Sequence, residues 1–72
     1  MNLQELTRHI EKTTGKLFIS KGEIASLGFG KDTVREIVKS IDCITTGTEG
    51  RYRLYYIRDV ARAIMDRRLL GN

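Results

Sequence analysis

The sequence predicts a small α+β domain, mainly α, with four helices and one two-stranded hairpin. Three observations lead to this prediction. Apolar residues recur at helical spacing in several segments, a glycine-bearing loop separates two short β-type segments, and the chain has only 72 residues. A chain of this length forms one domain around one modest core, so we treat residues 1–72 as a single domain.

The first predicted helix runs from about Leu3 to Thr13. Asn2 is its candidate N-cap, and the apolar residues that follow keep helical spacing until Gly15. We interpret residues 1–15 as an additional N-terminal helix. The short segment 16–19 is too brief for a helix and is predicted to be an extended link or a small strand.

Residues 20–40 carry the strongest local pattern. Ser20 and Glu23 have the spacing of a capping box, which predicts a short helix from Lys21 to Leu27. Gly28 follows where a left-handed residue usually closes a helix, so we expect a positive φ angle there.

A third helix is predicted from Lys31 to about Ser40. Gly30 stands at its N-cap, and Val34, Ile37 and Val38 begin a clean apolar stripe along one face. Two helices joined by a short turn that contains glycine form a helix-turn-helix.

Residues 43–56 are predicted to form the hairpin, with Gly47 and Gly50 in its loop. Cys43 is expected to be a small buried residue. Alternation along the second strand divides its residues between two faces. We expect Tyr52, Leu54 and Tyr56 to face the core, and Arg51, Arg53 and Tyr55 to form a basic outer face.

Residues 57–70 are predicted to be a final amphipathic helix that Gly71 terminates.

The charge of the chain favours an anionic partner. The formal net charge is +4, and the second half of the chain carries most of the arginine. Arginine suits phosphates and guanine edges, so the composition favours nucleic acid over an acidic membrane surface. No apolar segment approaches the roughly 18 residues that span a bilayer, and we expect a cytoplasmic protein without membrane contact.

Nothing in the sequence predicts an enzyme. The chain has one cysteine and one histidine, which cannot assemble a metal cluster or an intrachain disulfide, and no catalytic constellation can be built from its side chains. We therefore expect no cofactor and no small-molecule ligand.

The second helix of a helix-turn-helix enters the major groove of DNA, where its early residues reach base edges. On this basis Arg35 is predicted to read a guanine, Thr33 a base or a phosphate, and Lys39 the backbone. An exposed hairpin with arginines can lie along a phosphate backbone or in a minor groove. The predicted DNA-binding residues are Lys31, Thr33, Arg35, Lys39, Arg51 and Arg53.

Two other interpretations remain open. The third helix could present only a solvated face with Asp32–Arg35 and Glu36–Lys39 ion pairs. Alternatively, the protein could be a small interaction module whose basic face docks an acidic protein surface.

From Ile19 to Ile64 the chain resembles the winged helix-turn-helix of excisionases and MerR-like regulators, and small proteins from integrative elements of Gram-positive bacteria. The order of elements and four segments carry this resemblance: Leu27–Gly30, Thr33–Arg35, Gly50–Tyr55 and Asp59–Val60. Family members often have serine where this chain has Gly30, and the N-terminal helix is not part of their minimal domain.

The resemblance implies that the helix beginning near Lys31 enters the major groove while the Gly50 hairpin acts as a wing. It also implies a recombination directionality factor. Such a protein binds repeated sites near an attachment site of a mobile element, with self-association on the double-stranded DNA, bends the DNA and assists an integrase in excision. A transcription regulator of a phage or mobile element is the alternative within the same class.

Overall fold

The computed structural model describes residues 1–68. This part of the chain is an α+β domain, mainly helical, with four α-helices and a three-stranded antiparallel sheet. In chain order the elements are α1 (Leu3–Thr14), β1 (Phe18–Ile19), α2 (Lys21–Ala25), α3 (Lys31–Lys39), β2 (Ile44–Thr46), β3 (Tyr52–Tyr56) and α4 (Ile57–Asp66). The four predicted helices are therefore present, and the boundaries of α1, α2 and α3 lie within two residues of those expected.

Local capping fixes the ends of α1. The Asn2 side chain accepts a hydrogen bond of 2.8 Å from the backbone N–H of Glu5, as the sequence predicts. At the other end Gly15 adopts a left-handed conformation with φ of 72°, and its N–H donates to the carbonyl of Glu11. The helix therefore begins and ends at residues whose chemistry selects those positions.

The sheet has three strands rather than the two of the predicted hairpin. Its order is β1-β3-β2, so β3 is central. Besides the hairpin partner β2, β3 pairs with β1 through Phe18↔Tyr56 and Ile19↔Tyr55. The segment before α2 is thus a strand, and it ties the hairpin to the helices.

This extra strand reverses the predicted faces of β3. Ile19 is fully buried, and its cross-strand neighbour Tyr55 is only 4% exposed. Tyr55 therefore faces the core, whereas Tyr52 and Tyr56 lie exposed on the opposite face. The prediction that Tyr52 and Tyr56 are buried is wrong because the position of β1, and not the alternation alone, decides which face is covered.

The core lies between the helices and the inner face of the sheet. Helix α1 packs mainly against α4, so the N-terminal helix is an integral part of this core. Isoleucine dominates the buried set, which suits close packing because its branched side chain has few rotamers. The largest fully buried side chains are Ile10, Ile19, Ile24, Ile37, Ile57, Val60 and Ile64.

The hairpin loop relies on left-handed residues. Gly47, Glu49 and Gly50 all have positive φ angles, and a 3-10 turn spans Thr48–Gly50. The ring of Tyr52 lies over Gly47, where a Cβ atom would approach Cδ2 of the ring to 2.5 Å. Only glycine fits beneath the ring in its present position.

Cys43, which precedes β2, is exposed and not buried as predicted, since all of β2 lies outside the core.

Helix α4 ends at Asp66. The predicted end at Leu70 and its terminator Gly71 lie outside the described residues. Over residues 1–68 there is no helix with the length and apolar character needed to cross a membrane.

Candidate nucleic-acid interface

A capping box and an ion pair hold the start of α2. The Ser20 hydroxyl accepts from the N–H of Glu23 at 3.2 Å, and the Glu23 carboxylate accepts from the N–H of Ser20 at 3.1 Å. Lys16 completes the arrangement with its Nζ at 2.9 Å from the other carboxylate oxygen. The hydrogen bond from Lys16, followed by that from Ser20, lowers the pKa of Glu23 below its ordinary value of 4.5.

The turn between α2 and α3 has the predicted geometry. Gly28 has φ of 114°, which confirms the positive angle expected there. Gly30 is the N-cap of α3, with an extended backbone and no side-chain cap. The turn sets α3 against α2 and leaves the first residues of both helices on the surface.

The first part of the candidate site is a depression of about 360 Å³ between α2 and α3. Val34 is buried at its base, whereas three exposed cationic side chains, Lys21, Lys31 and Arg35, also line it. The depression therefore combines an apolar base with a basic margin.

A second depression, of about 540 Å³, lies between the start of α2 and β3. Strand β1 reaches only Tyr55 and Tyr56, so this side of β3 has no strand beside it from Tyr52 to Leu54. Arg51 and Arg53 line this space together with Lys21. The unpaired main-chain edge of β3 and the three cationic side chains thus border the same depression.

The two depressions are contiguous because Lys21 and Gly22 line both of them. The resulting surface runs from the hairpin across α2 to α3, and we call it the basic band. Its cations are Lys21, Lys31, Arg35, Arg51 and Arg53.

The cations of the basic band are free of acidic partners. Within residues 1–68 the Lys16–Glu23 contact is the one ion pair. Neither Asp32–Arg35 nor Glu36–Lys39 forms the pair that a purely solvated α3 face was expected to show. The positive charge of the band is therefore available to an anionic ligand.

Of the six residues predicted to bind DNA, four lie in the basic band: Lys31, Arg35, Arg51 and Arg53. Thr33 and Lys39 line neither depression. Thr33 is half-buried on the other flank of α3, and Lys39 is exposed one turn beyond Arg35, at the end of the helix.

Lys21 was missed by reasoning from the sequence, although it joins the two halves of the band. A signal was present, since a lysine directly follows the capping residue Ser20 at the exposed start of α2. The sequence pattern could not place that start beside the hairpin.

Tyr55, which the sequence predicted on the outer face of the second hairpin strand, is instead a core residue. Burial raises the pKa of its hydroxyl above the ordinary value of 10.0; the nearby Cys43 adds to this shift and Arg53 opposes it. Tyr55 is therefore not part of the exposed site.

The C-terminal arginines lie apart from the basic band. Arg62 lines a separate depression with Asp42, Asp59 and Asp66, between the end of α3 and α4. Arg67 donates a hydrogen bond of 3.3 Å from Nη1 to the Ser40 hydroxyl.

Over residues 1–68 no three His, Cys, Asp or Glu side chains are grouped as metal ligands.

Comparison with known proteins adds no relative to this description. No family model matches the chain, and no curated protein or solved structure gives a significant match.

Proposed function

We propose that this protein is a winged helix-turn-helix that binds double-stranded DNA, with α3 in the major groove and the β2–β3 hairpin as the wing. The order helix, strand, helix, helix, strand, strand supports this assignment, as does the short glycine-containing turn between α2 and α3.

The single observation that carries the proposal is the basic band. Its five cations come from the start of α2, from α3 and from the hairpin, and they border one continuous concave surface. A polyanion with two phosphate backbones satisfies such a distribution better than a small anion does, since cations on separate elements meet separate phosphates.

In this proposal the residues divide by task. Arg35, on the exposed flank of α3, reads a base edge, for which the guanidinium fork matches the two acceptors of guanine. Arg51, Arg53 and Lys21 bind phosphates beside the groove, and Lys31 does so at the start of α3.

The test separates base reading from charge. Arg35→Ala is expected to cost about 1–3 kcal/mol on a specific site and to relax discrimination there. Arg51→Ala is expected to weaken all sequences alike and to reduce the slope of log K against log salt by about 1. Fluorescence anisotropy with specific and random duplexes at several salt concentrations measures both quantities.

Arg8→Ala is the matched control, since it removes one exposed arginine from α1, outside the basic band. Its affinity should stay close to that of the parent. Equal losses in all three variants would mean that only net charge matters. A salt-tolerant complex with an acidic protein, together with no DNA affinity, would favour the interaction-module alternative.

At a finer level we propose an architectural role, that of an excisionase acting with an integrase. A single module buries only about 600–1,000 Å² on DNA and discriminates weakly, so several copies on adjacent repeats would share the task. Bending a site of 20–30 base pairs costs roughly 1–6 kcal/mol, which phosphate contacts from several copies can offset.

Circularly permuted DNA fragments test this role. Bound protein should make their mobility depend on the position of the site, and excision by the integrase of the same element should require the protein. One unbent site that overlaps a promoter, with excision unaffected, would establish the transcription regulator instead.

A further inference from the structure

The outer face of the sheet is apolar and uncovered. The register places Phe18 beside Tyr56, Ile44 beside Leu54, and Thr46 beside Tyr52 on one side of the three strands. We call this the apolar sheet face. Four of its side chains are well exposed: Phe18 (38%), Ile44 (45%), Tyr52 (64%) and Tyr56 (40%).

None of the six positions on this face is charged, although the chain carries a net charge of +4. Arg53 alternates to the inner side of β3 with Tyr55. Two copies that met through their apolar sheet faces would therefore bring no like charges into the contact. A nucleic-acid strand laid on the same face would find no cation there to neutralise its phosphates.

The aromatic side chains of the face are held in place by neighbouring residues. The Tyr52 ring covers Gly47, and the rings of Phe18 and Tyr56 lie 5.3 Å apart between centroids. Side chains that are already ordered lose little entropy when a partner covers them. The face is thus organised before it binds.

The exposed area fits a weak dimer. With roughly 150–250 Å² for an aromatic side chain, the exposed fractions of Phe18, Ile44, Tyr52 and Tyr56 leave on the order of 350 Å² of surface per copy. Two faces together would bury roughly 700 Å², which is less than the roughly 1,000 Å² of a stable specific interface, so the expected dimer is weak and transient.

We propose that the apolar sheet face binds a second copy of this chain. The two sheets pack face to face around a two-fold axis. The cations of the basic band are not among the six residues in contact, although Tyr52 and Leu54 border both the apolar sheet face and the second depression. Self-association does not depend on the proposed function. The effect of self-association on DNA binding does rest on the proposed function, since two copies on adjacent DNA sites would then bind cooperatively.

The first experiment needs no DNA. Sedimentation velocity over about a hundredfold range of protein concentration should show a reversible monomer–dimer equilibrium in the parent. Ile44→Gln removes apolar area from both halves of the contact without changing the net charge, and it should raise the dimer Kd at least about tenfold.

Leu17→Gln is the matched control. Leu17 is also exposed, but it directly precedes β1 and, by the alternation of extended backbone, lies on the side opposite to Phe18 and so off the apolar sheet face. Its dimer Kd should stay within about twofold of the parent. Circular dichroism of both variants establishes that each is folded.

A parent that stays monomeric over the whole range overturns the proposal, and so does a dimer that Ile44→Gln leaves intact. A monomeric chain whose tyrosine fluorescence is quenched by an oligothymidylate would assign the face to single-stranded bases instead. A monomer that captures a different protein through Ile44 would assign it to that partner.

The second experiment uses duplexes with one or two binding sites. Ile44→Gln should reduce the cooperativity on two sites and leave the affinity for one site within about twofold. If the duplexes do not bind at all, the proposed function fails while the dimer result stands; unchanged cooperativity overturns the role of this face on DNA.

Discussion

The helices and the hairpin use apolar residues in opposite ways. Helices α1 and α4 bury theirs against each other, with Ile10 only 1% exposed, whereas all three residues of β2 are exposed. The base of β3 shares the helical core through Tyr55, and its tip does not. The difference teaches that the stability of this domain resides in the helices and the base of the sheet, while the hairpin tip is held mainly by its own strand pairing.

The largest expected effect comes from the core. Ile10→Ala should cost about 2–5 kcal/mol because it leaves a cavity between α1 and α4. The whole margin of a domain this small is roughly 3–5 kcal/mol, so the variant should be largely unfolded. The same truncation in the hairpin, Ile44→Ala, should cost less than about 1 kcal/mol. Urea unfolding followed by circular dichroism measures both, and equal losses would abolish the distinction between the two regions.

Two glycines sharpen the comparison, since both have positive φ angles. Gly28→Ala should destabilise the domain by about 1 kcal/mol through backbone strain alone, because its Cβ would meet nothing. Gly47→Ala adds a clash with the Tyr52 ring to the same strain, but its effect should stay within the hairpin. Hydrogen exchange should therefore quicken for β2 and β3 amides in Gly47→Ala, whereas the urea midpoint should fall in Gly28→Ala. The reverse pattern would show that the turn and the hairpin unfold together.

A smaller expected effect is a pH-dependent change in stability, which Glu23 causes in the helical region. The pKa of Glu23 is lowered in the folded state, so its contribution to stability is present above the unfolded value and is lost as the pH falls through the lowered one. Urea midpoints between about pH 6 and pH 3 should fall less steeply in Glu23→Gln than in the parent. Lys16→Met removes the largest cause of the shift and should flatten the curve in part. An unchanged slope in both variants would mean that the capping box contributes no acid sensitivity.

The smallest expected effect is a gain. Gly30 caps α3 with φ of −72°, and a Cβ there would meet no other atom within 4 Å. Gly30→Ser should therefore fit and stabilise the domain by a few tenths of a kcal/mol, through a side-chain cap and a less flexible unfolded chain. A rise in the urea midpoint without a change in slope is the expected observation; a fall would mean that the backbone at Gly30 does not accept a side chain.

The features that the sequence predicted correctly are local. Asn2, the Ser20–Glu23 box and Gly28 act through atoms within a few residues, and each behaves as its pattern indicates. The face of β3 was predicted wrongly because alternation defines two faces without identifying the buried one. That choice depends on the pairing of Ile19 with Tyr55, two residues that lie far apart in the chain.

In the candidate site, too, local features were predicted from the sequence and tertiary neighbours were not. Arg35 and Lys31 were found because they lie on one flank of a strongly patterned helix, and Arg51 and Arg53 because a hairpin exposes them. Lys21 was not predicted because only the tertiary structure places the start of α2 between the α3 cations and the hairpin arginines. The charge of the site was therefore predictable, and its continuity was not.

The exposed position of Cys43 provides a chemical handle. It is the one cysteine of the chain, and it lies directly before β2, outside the basic band. A fluorophore or a DNA-cleaving iron chelate attached to its thiol would mark the base of the hairpin without any engineered residue. The positions cut on a bound duplex would then give the direction in which the hairpin points along the DNA, and hence the polarity of each copy on its site.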